Sequence, residues 1–155
     1  MRLWSPEIPD GGKIPRKYVM PAAGGENISP PLRWEGIPAG TRSLVLICVD
    51  THPIARNWMH WVVINIPPSV QELPEGASGR AMPSGAQELI NSYGFRGYGG
   101  PQPPPGTGAH PYHFILYALD VEKLSISERP AFKEVERAVA GHLLDKASFV
   151  GYYER

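Results

Sequence analysis

Two short apolar runs, joined by a polar turn, constrain the fold of this chain more than any other feature. The runs are Leu44–Val49 and Trp58–Ile66, and the turn at residues 51–57 lies between them after Asp50. Both runs are rich in β-branched and aromatic residues and are too short for buried helices, so they predict two strands. Apolar side chains occupy both alternating positions, which predicts that both faces of each strand are covered. We expect the strands to pair as a central hairpin.

Polar side chains gather where these strands meet the turn. Alternate residues of a strand share a face, so Trp58 and His60 are expected to point the same way. Pairing around the turn places Asp50 near Trp58 and diagonal to His60, at roughly 7–8 Å. His52 lies within the turn itself. The pattern therefore predicts a carboxylate, an imidazole and an indole at one rim of the sheet.

A rigid loop and a third strand follow later in the chain. The loop Gly94–Gly108 is rich in proline, which lacks the ladder donor, and in glycine, so it cannot form a helix or an inner strand. His110–Asp120 predicts another central strand, with His110 and Tyr112 on one face at its start. Binding sites concentrate where strand ends meet ordered loops. We therefore expect these two side chains to converge on one cleft with the polar groups of the hairpin.

Four further segments complete the predicted layout. Lys17–Met20 is compatible with a short strand, and Pro67–Glu88 is mostly turn and loop. Apolar residues then recur at helical spacing behind a proline, which predicts a helix over Pro130–Ala147. Phe149–Tyr153 predicts a closing strand.

Composition limits the class of protein. The chain has 155 residues, so we expect one domain over residues 1–155, and its 18 prolines and 17 glycines favour a loop-rich, mainly β fold. Fifteen basic and fifteen acidic residues cancel, which leaves no electrostatic footprint for nucleic acid. A single cysteine, Cys48, excludes an intramolecular disulfide. The sequence shows no signal peptide and no transmembrane segment, so we expect a soluble, cytoplasmic protein.

Catalytic and metal chemistry find little support in these residues. The chain lacks a GxSxG elbow, and no serine lies in the hairpin turn or the rigid loop, which disfavours a Ser–His–Asp hydrolase. Asp50, His52, His60 and His110 could hold zinc, but their spacing matches no zinc motif. We expect no metal, no cofactor and no catalysis, with acid or base catalysis by His60 or His110 as the alternative. Imidazole N–H groups and a tyrosine hydroxyl suit the oxygens of a phosphate or carboxylate.

Together, these motifs resemble the phosphatidylethanolamine-binding protein family, also called the Raf kinase inhibitor-like family. The resemblance covers nearly the whole chain and begins with the segment SPPLRWEGIP. It continues through the Asp-turn-Trp-x-His-Trp segment at Asp50–Trp61, the Tyr-x-Gly-Pro-x-Pro-Pro segment at Tyr98–Pro104, and the His-x-Tyr pair within Gly106–Tyr112. The terminal GHLLDKASFVGYYE resembles prokaryotic members in particular.

The resemblance implies a large central antiparallel sheet, a smaller second sheet, peripheral helices and a small anion pocket near one sheet end. Family members are associated with phospholipid headgroups and with inhibition of kinases or serine proteases. The expected partner is therefore a small phosphate- or carboxylate-bearing ligand, or a protease or kinase bound through Pro67–Glu88. Analogy with prokaryotic relatives alone points to a homodimer. The candidate ligand-binding residues are Asp50, His52, Trp58, His60, Tyr98, Pro101, His110 and Tyr112.

Two departures from the family pattern shape the predicted site. His52 stands where the family usually has a second acid, which favours a purely anionic ligand over one with an ammonium group. Pro111 stands between His110 and Tyr112 where the family usually has arginine, so we expect no cation beside the site. An unperturbed histidine titrates near pH ~6.5. We therefore expect protonated His60 or His110 to supply the charge, and anion affinity to fall as pH rises.

Overall fold

The computed structural model describes residues 1–155, which are organised around β-strands. The regular elements, in chain order, are β1 (Arg2–Trp4), β2 (Gly12–Lys13), β3 (Leu32–Glu35), β4 (Ser43–Asp50), β5 (Trp58–Ile66), β6 (Glu72–Leu73), β7 (Gln87–Glu88), β8 (His110–Leu119), α1 (Phe132–Ala140) and β9 (Leu143–Tyr153). Two single turns of 3-10 helix, Arg16–Tyr18 and Pro21–Ala23, lie between β2 and β3. None of the helices has the length and apolar character needed to cross a membrane.

The strands form two sheets of different size. Six strands make the large sheet in the order β2-β9-β8-β4-β5-β7, and three make the small sheet in the order β1-β3-β6. Neighbouring strands are antiparallel except for the short parallel pair of β2 and β9. The predicted mainly β fold, with a large antiparallel sheet and a smaller second sheet, is confirmed.

Strand β4 is buried on both faces, as its apolar run predicts. Leu44, Leu46 and Cys48 pack in the core between the two sheets. The alternating Val45 and Ile47 pack in a second core that α1 covers. Burying each of these aliphatic side chains contributes about 1.5–3 kcal/mol to the free energy of folding. The end of β4 is therefore a rigid support for the polar residues that follow it.

Strand β5 contains a β-bulge at His60. Cys48 lies opposite Trp61 and Val49 lies opposite Met59, so His60 is an extra residue without a partner on β4. A bulge interrupts strict alternation and re-aims a side chain. Trp61 enters the core between the sheets, while the neighbouring His60 lines the cavity described below.

Two predicted elements differ from the structure. The predicted helix is present, but it covers only Phe132–Ala140 of Pro130–Ala147, and from Leu143 onward the chain forms the long strand Leu143–Tyr153. This strand pairs with β8 along its length, so tertiary pairing overrides the local helical spacing. The strand predicted at Lys17–Met20 is replaced by the 3-10 turn Arg16–Tyr18, which follows a proline.

Candidate functional site

A cavity of about 410 Å³ opens at the end of the large sheet where the hairpin turn meets the rigid loop. Strands β4 and β5 pair there with Asp50 opposite Trp58, as predicted. Strand β8 brings His110 and Tyr112 to the same cavity from the other side of β4. Together with His60, these side chains form one cluster, so the predicted convergence of the polar residues is confirmed.

Asp50 and His110 form a buried pair in the cavity wall. His110 Nδ1 donates to Asp50 Oδ2 over 2.6 Å, and both side chains are almost fully buried. The other carboxylate oxygen accepts the backbone N–H of His52 at 2.9 Å. His110 Nε2 lies 2.8 Å from Thr107 Oγ1, which donates to the carbonyl of Pro104. Both ring nitrogens of His110 are therefore engaged within the protein, and the ring holds the rigid loop in place.

His52 lies behind this pair and does not line the cavity, contrary to its predicted place. Its ring stacks on the His110 ring with centroids 3.9 Å apart and 7° between the planes. His52 Nε2 donates to the carbonyl of Thr107 at 3.1 Å, and Nδ1 accepts the backbone N–H of Ile54 at 3.2 Å. Because Nε2 joins the hairpin turn to the rigid loop and Nδ1 is bonded within the turn, His52 supports the wall and does not line the cavity.

His60 provides a neutral nitrogen base. Its Nδ1 donates to the carbonyl of Gly99 over 2.7 Å. A Cβ at position 99 would lie 2.5 Å from the Tyr93 ring, so only glycine allows this approach. Burial lowers the pKa of His60 to about 4, although the Gly99 carbonyl and the Asp50 charge oppose that shift. Burial therefore disfavours the protonated His60 on which the predicted fall of anion affinity with pH depends.

Tyr112 places an unpartnered hydroxyl at the cavity. Its side chain is fully buried, and its Oη has no hydrogen-bond partner within the chain. Burial, reinforced by the charge of Asp50, raises the pKa of Tyr112, so the hydroxyl keeps its proton. A buried polar group without a partner costs about 1–3 kcal/mol, and this is the one buried side-chain atom of the chain in that state. A hydrogen-bonding ligand atom would remove that cost.

Two predicted site residues, Tyr98 and Pro101, lie outside the cavity. Tyr98 is part of the core, and its hydroxyl donates to the carbonyl of Tyr18 at 2.7 Å. Pro101 is buried, and its carbonyl accepts the N–H of Met20 at 3.0 Å. Both residues fix the rigid loop against the first 3-10 turn, so their motif has a structural role here.

Six further residues complete the cavity wall without having been predicted. Tyr93 stands edge-on to Trp58 at 5.5 Å and to His60 at 5.6 Å between ring centroids. No local sequence pattern marks Tyr93 as a residue of the site. The proline run after Pro101, in contrast, is a sequence signal for the ordered loop that brings Gln102, Pro103 and Pro104 to the cavity. The six residues are Ile54, Ala55, Tyr93, Gln102, Pro103 and Pro104.

A cation approaches the site from the end of β9. Arg155 Nε donates to the carbonyl of Pro103 at 2.7 Å, and Nη1 donates to the carbonyl of Ala22 at 3.0 Å. Pro103 lines the cavity but Arg155 does not. Burial raises the pKa of both Tyr93 and Tyr112, and the charge of Arg155 opposes that rise. Arg155 therefore only partly replaces the arginine that is missing from the His-x-Tyr motif, because its charge lies behind the cavity wall.

The cavity presents few polar groups. No group of three or more His, Cys, Asp or Glu side chains is arranged to hold a metal ion. The polar groups of the cavity without a partner in the chain are His60 Nε2 and the Tyr112 hydroxyl, and the Asp50 carboxylate, which accepts one hydrogen bond at each oxygen, keeps further lone pairs. Aromatic rings of Trp58 and Tyr93 form the neighbouring wall.

Comparison with known proteins gives consistent matches along the chain. The family model described as phosphatidylethanolamine-binding protein matches residues 4–154. A UPF0098 protein from Methanothermobacter thermautotrophicus is 41% identical over 157 residues, covering 100% of this chain and 99% of the relative. The UPF0098 protein YbhB from Escherichia coli is 39% identical over 158 residues, covering 99% of each chain.

Solved structures give the same match. The crystal structure of Escherichia coli YbcL is described as a new member of the mammalian PEBP family. It superposes with a TM-score of 0.91 at 32% identity, covering 99% of this chain and 98% of that chain. The shared fold therefore extends over both sheets and the loops around the cavity.

Proposed function

Because the chain belongs to the phosphatidylethanolamine-binding protein family, we propose that it binds small phosphate- or carboxylate-bearing ligands in this cavity without chemical turnover. The observation that carries the proposal is the Tyr112 hydroxyl, which is buried without a partner in a cavity shared with Asp50 and His60. Nearly all buried polar groups in proteins are hydrogen-bonded. The unpaired hydroxyl therefore indicates a partner supplied from outside the chain.

The size and lining of the cavity suit a small polar ligand. Its volume of about 410 Å³ lies within the range of about 300–1,000 Å³ found for ligand sites. The rings of Trp58 and Tyr93 provide apolar walls, and the few polar groups can fix orientation. Since no lysine or arginine lines the cavity, we expect affinities between micromolar and millimolar.

Replacing Tyr112 with phenylalanine tests the proposal because it removes the hydroxyl and keeps the ring. We expect the affinity for phosphoethanolamine to fall tenfold or more, since a hydrogen bond to a charged group contributes about 1.5–3 kcal/mol. Isothermal titration calorimetry of wild type and Tyr112→Phe measures this change.

The matched control is Tyr117→Phe. Tyr117 lies on the same strand, but its ring packs in the core covered by α1. We expect this variant to bind as wild type does. Unchanged affinity in Tyr112→Phe would contradict the proposal, as would a wild-type protein that binds none of phosphoethanolamine, inorganic phosphate and acetate.

The other expectations about partners and location stay predictions. They are inhibition of a serine protease or kinase through Pro67–Glu88, a homodimer, and a cytoplasmic location. A protease panel, light scattering of the purified protein and cell fractionation measure them in turn.

A further inference from the structure

The free polar atoms of the cavity are mainly hydrogen-bond acceptors. The proton of the neutral His60 ring is on Nδ1, which donates to Gly99, so Nε2 presents a lone pair. Asp50 accepts one hydrogen bond at each oxygen and has further lone pairs. The buried donor is the Tyr112 hydroxyl. The cavity therefore offers more acceptors than donors to a ligand.

The groups around His60 do not convert it into a donor. Asp50 faces it from β4, Tyr93 from the loop before Gly94, and His110 and Tyr112 from β8. The two tyrosines are neutral, and both His110 nitrogens are engaged by the protein. Of these groups Asp50 favours a protonated ring, but burial outweighs it and holds the pKa of His60 at about 4.

A fully deprotonated oxyanion fits such a wall poorly. It would present lone pairs to the lone pair of His60 and to the carboxylate of Asp50, which already accepts hydrogen bonds from His110 Nδ1 and the His52 N–H. No lysine or arginine lines the cavity to compensate. An anion that carries its own O–H avoids this conflict, because it can donate to one group and accept from another.

We infer that the cavity selects oxyanions that carry a proton, such as the monoanion of a phosphate monoester. The ligand O–H donates to His60 Nε2, and a second ligand oxygen accepts from the Tyr112 hydroxyl. This inference rests on the proposed function and narrows its ligand class: phosphate monoesters bind, whereas carboxylates, sulfates and phosphodiesters bind weakly. The selection comes from the ligand proton, with no change in the charge of the protein.

Methyl phosphate and methyl sulfate form a matched pair that tests the selection on the wild-type protein. The second pKa of a phosphate monoester is about 6, so at pH 5.5 both ligands are mainly monoanions of similar shape, and only methyl phosphate has an O–H. Methyl sulfate would require His60 to take up a proton. For a histidine with a pKa of about 4, that requirement weakens binding roughly 30-fold at pH 5.5. We expect at least a tenfold preference for methyl phosphate in calorimetry.

Two further arms separate the explanations. Dimethyl phosphate keeps the phosphorus and the single charge but has no O–H, and we expect it to bind as weakly as methyl sulfate. At pH 8.0 methyl phosphate is mainly a dianion, so we expect its affinity to fall more than tenfold and about one proton to be taken up per ligand bound. Calorimetry in two buffers with different ionisation enthalpies measures that proton.

The outcomes distinguish this inference from the proposed function. Equal affinities for methyl phosphate, methyl sulfate and dimethyl phosphate would overturn the inference and leave the cavity as a general anion site. Binding of ethanolamine as tight as that of methyl phosphate would also overturn it, because an ammonium donor would then satisfy the acceptors. Failure of every ligand to bind would overturn both.

Discussion

Two polar clusters of this protein differ in how they are completed. In the first, Glu88 Oε2 accepts from the Trp61 indole at 2.7 Å and from the Ser78 hydroxyl at 2.6 Å, while Oε1 accepts the Gly79 N–H at 2.8 Å. In the second, the cavity, the Tyr112 hydroxyl has no partner. The Glu88 carboxylate is paired with donors of the protein and stabilises the fold. The cavity, in contrast, contains a hydroxyl that no group of the chain satisfies.

The comparison shows that burial of polar groups alone does not identify a site. Tyr98 and Tyr112 are both buried tyrosines close to the large sheet. The Tyr98 hydroxyl donates to the Tyr18 carbonyl, so it is paired within the chain. Stability given up at functional sites is common in natural proteins, and the unpaired Tyr112 hydroxyl fits that pattern.

The largest effect is expected from Glu88→Ala, which tests the Glu88 cluster. Three donors lose their acceptor, and hydrogen bonds to charged groups contribute about 1.5–3 kcal/mol each without being additive. We expect the free energy of unfolding to fall by roughly 3–4 kcal/mol in urea denaturation, with phosphoethanolamine affinity unchanged in the folded variant. Glu136→Ala, at an exposed position of α1, is the control. If Glu88→Ala lowers the free energy of unfolding by less than about 1 kcal/mol, the Glu88 cluster does not stabilise the fold, and the distinction between the two clusters fails.

A smaller effect is expected from acid, and it falls on the cavity. The pKa of His60 is lowered from 6.5 to about 4 in the folded protein, so the unfolded chain binds more protons between these values. The stability that neutral His60 provides is complete above pH 6.5 and is lost as pH falls toward 4. We expect wild type to lose about 3 kcal/mol more than His60→Gln between pH 7 and pH 4. Parallel pH profiles of unfolding free energy would contradict the assignment.

The sequence predicted the parts of the site that local rules determine. The Asp50–Trp58 pairing follows from the length of the turn and the apolar runs on either side. The common face of His110 and Tyr112 follows from strand alternation. These features depend on residues close together in the chain, so one sequence is enough to find them.

The remaining features depend on contacts between distant segments. The bulge at His60 changes the register within β5 and has no sequence signal of its own. Tyr93 and Arg155 reach the cavity through the path of loops that only the folded chain defines. The low pKa of His60 likewise follows from burial by several elements. Sequence reasoning therefore found the cluster but not the burial that disfavours the charged form of its histidine.

The most direct test compares the unfolding free energies of Tyr98→Phe and Tyr112→Phe without ligand. Tyr98→Phe removes a made hydrogen bond and leaves the buried Tyr18 carbonyl unpaired, so we expect a loss of about 1–3 kcal/mol. Tyr112→Phe removes a hydroxyl that has no partner, so we expect no loss and a gain of up to about 1 kcal/mol. If Tyr112→Phe instead destabilises the protein as much as Tyr98→Phe does, the hydroxyl is already satisfied within the fold, and the cavity is not held open for a ligand.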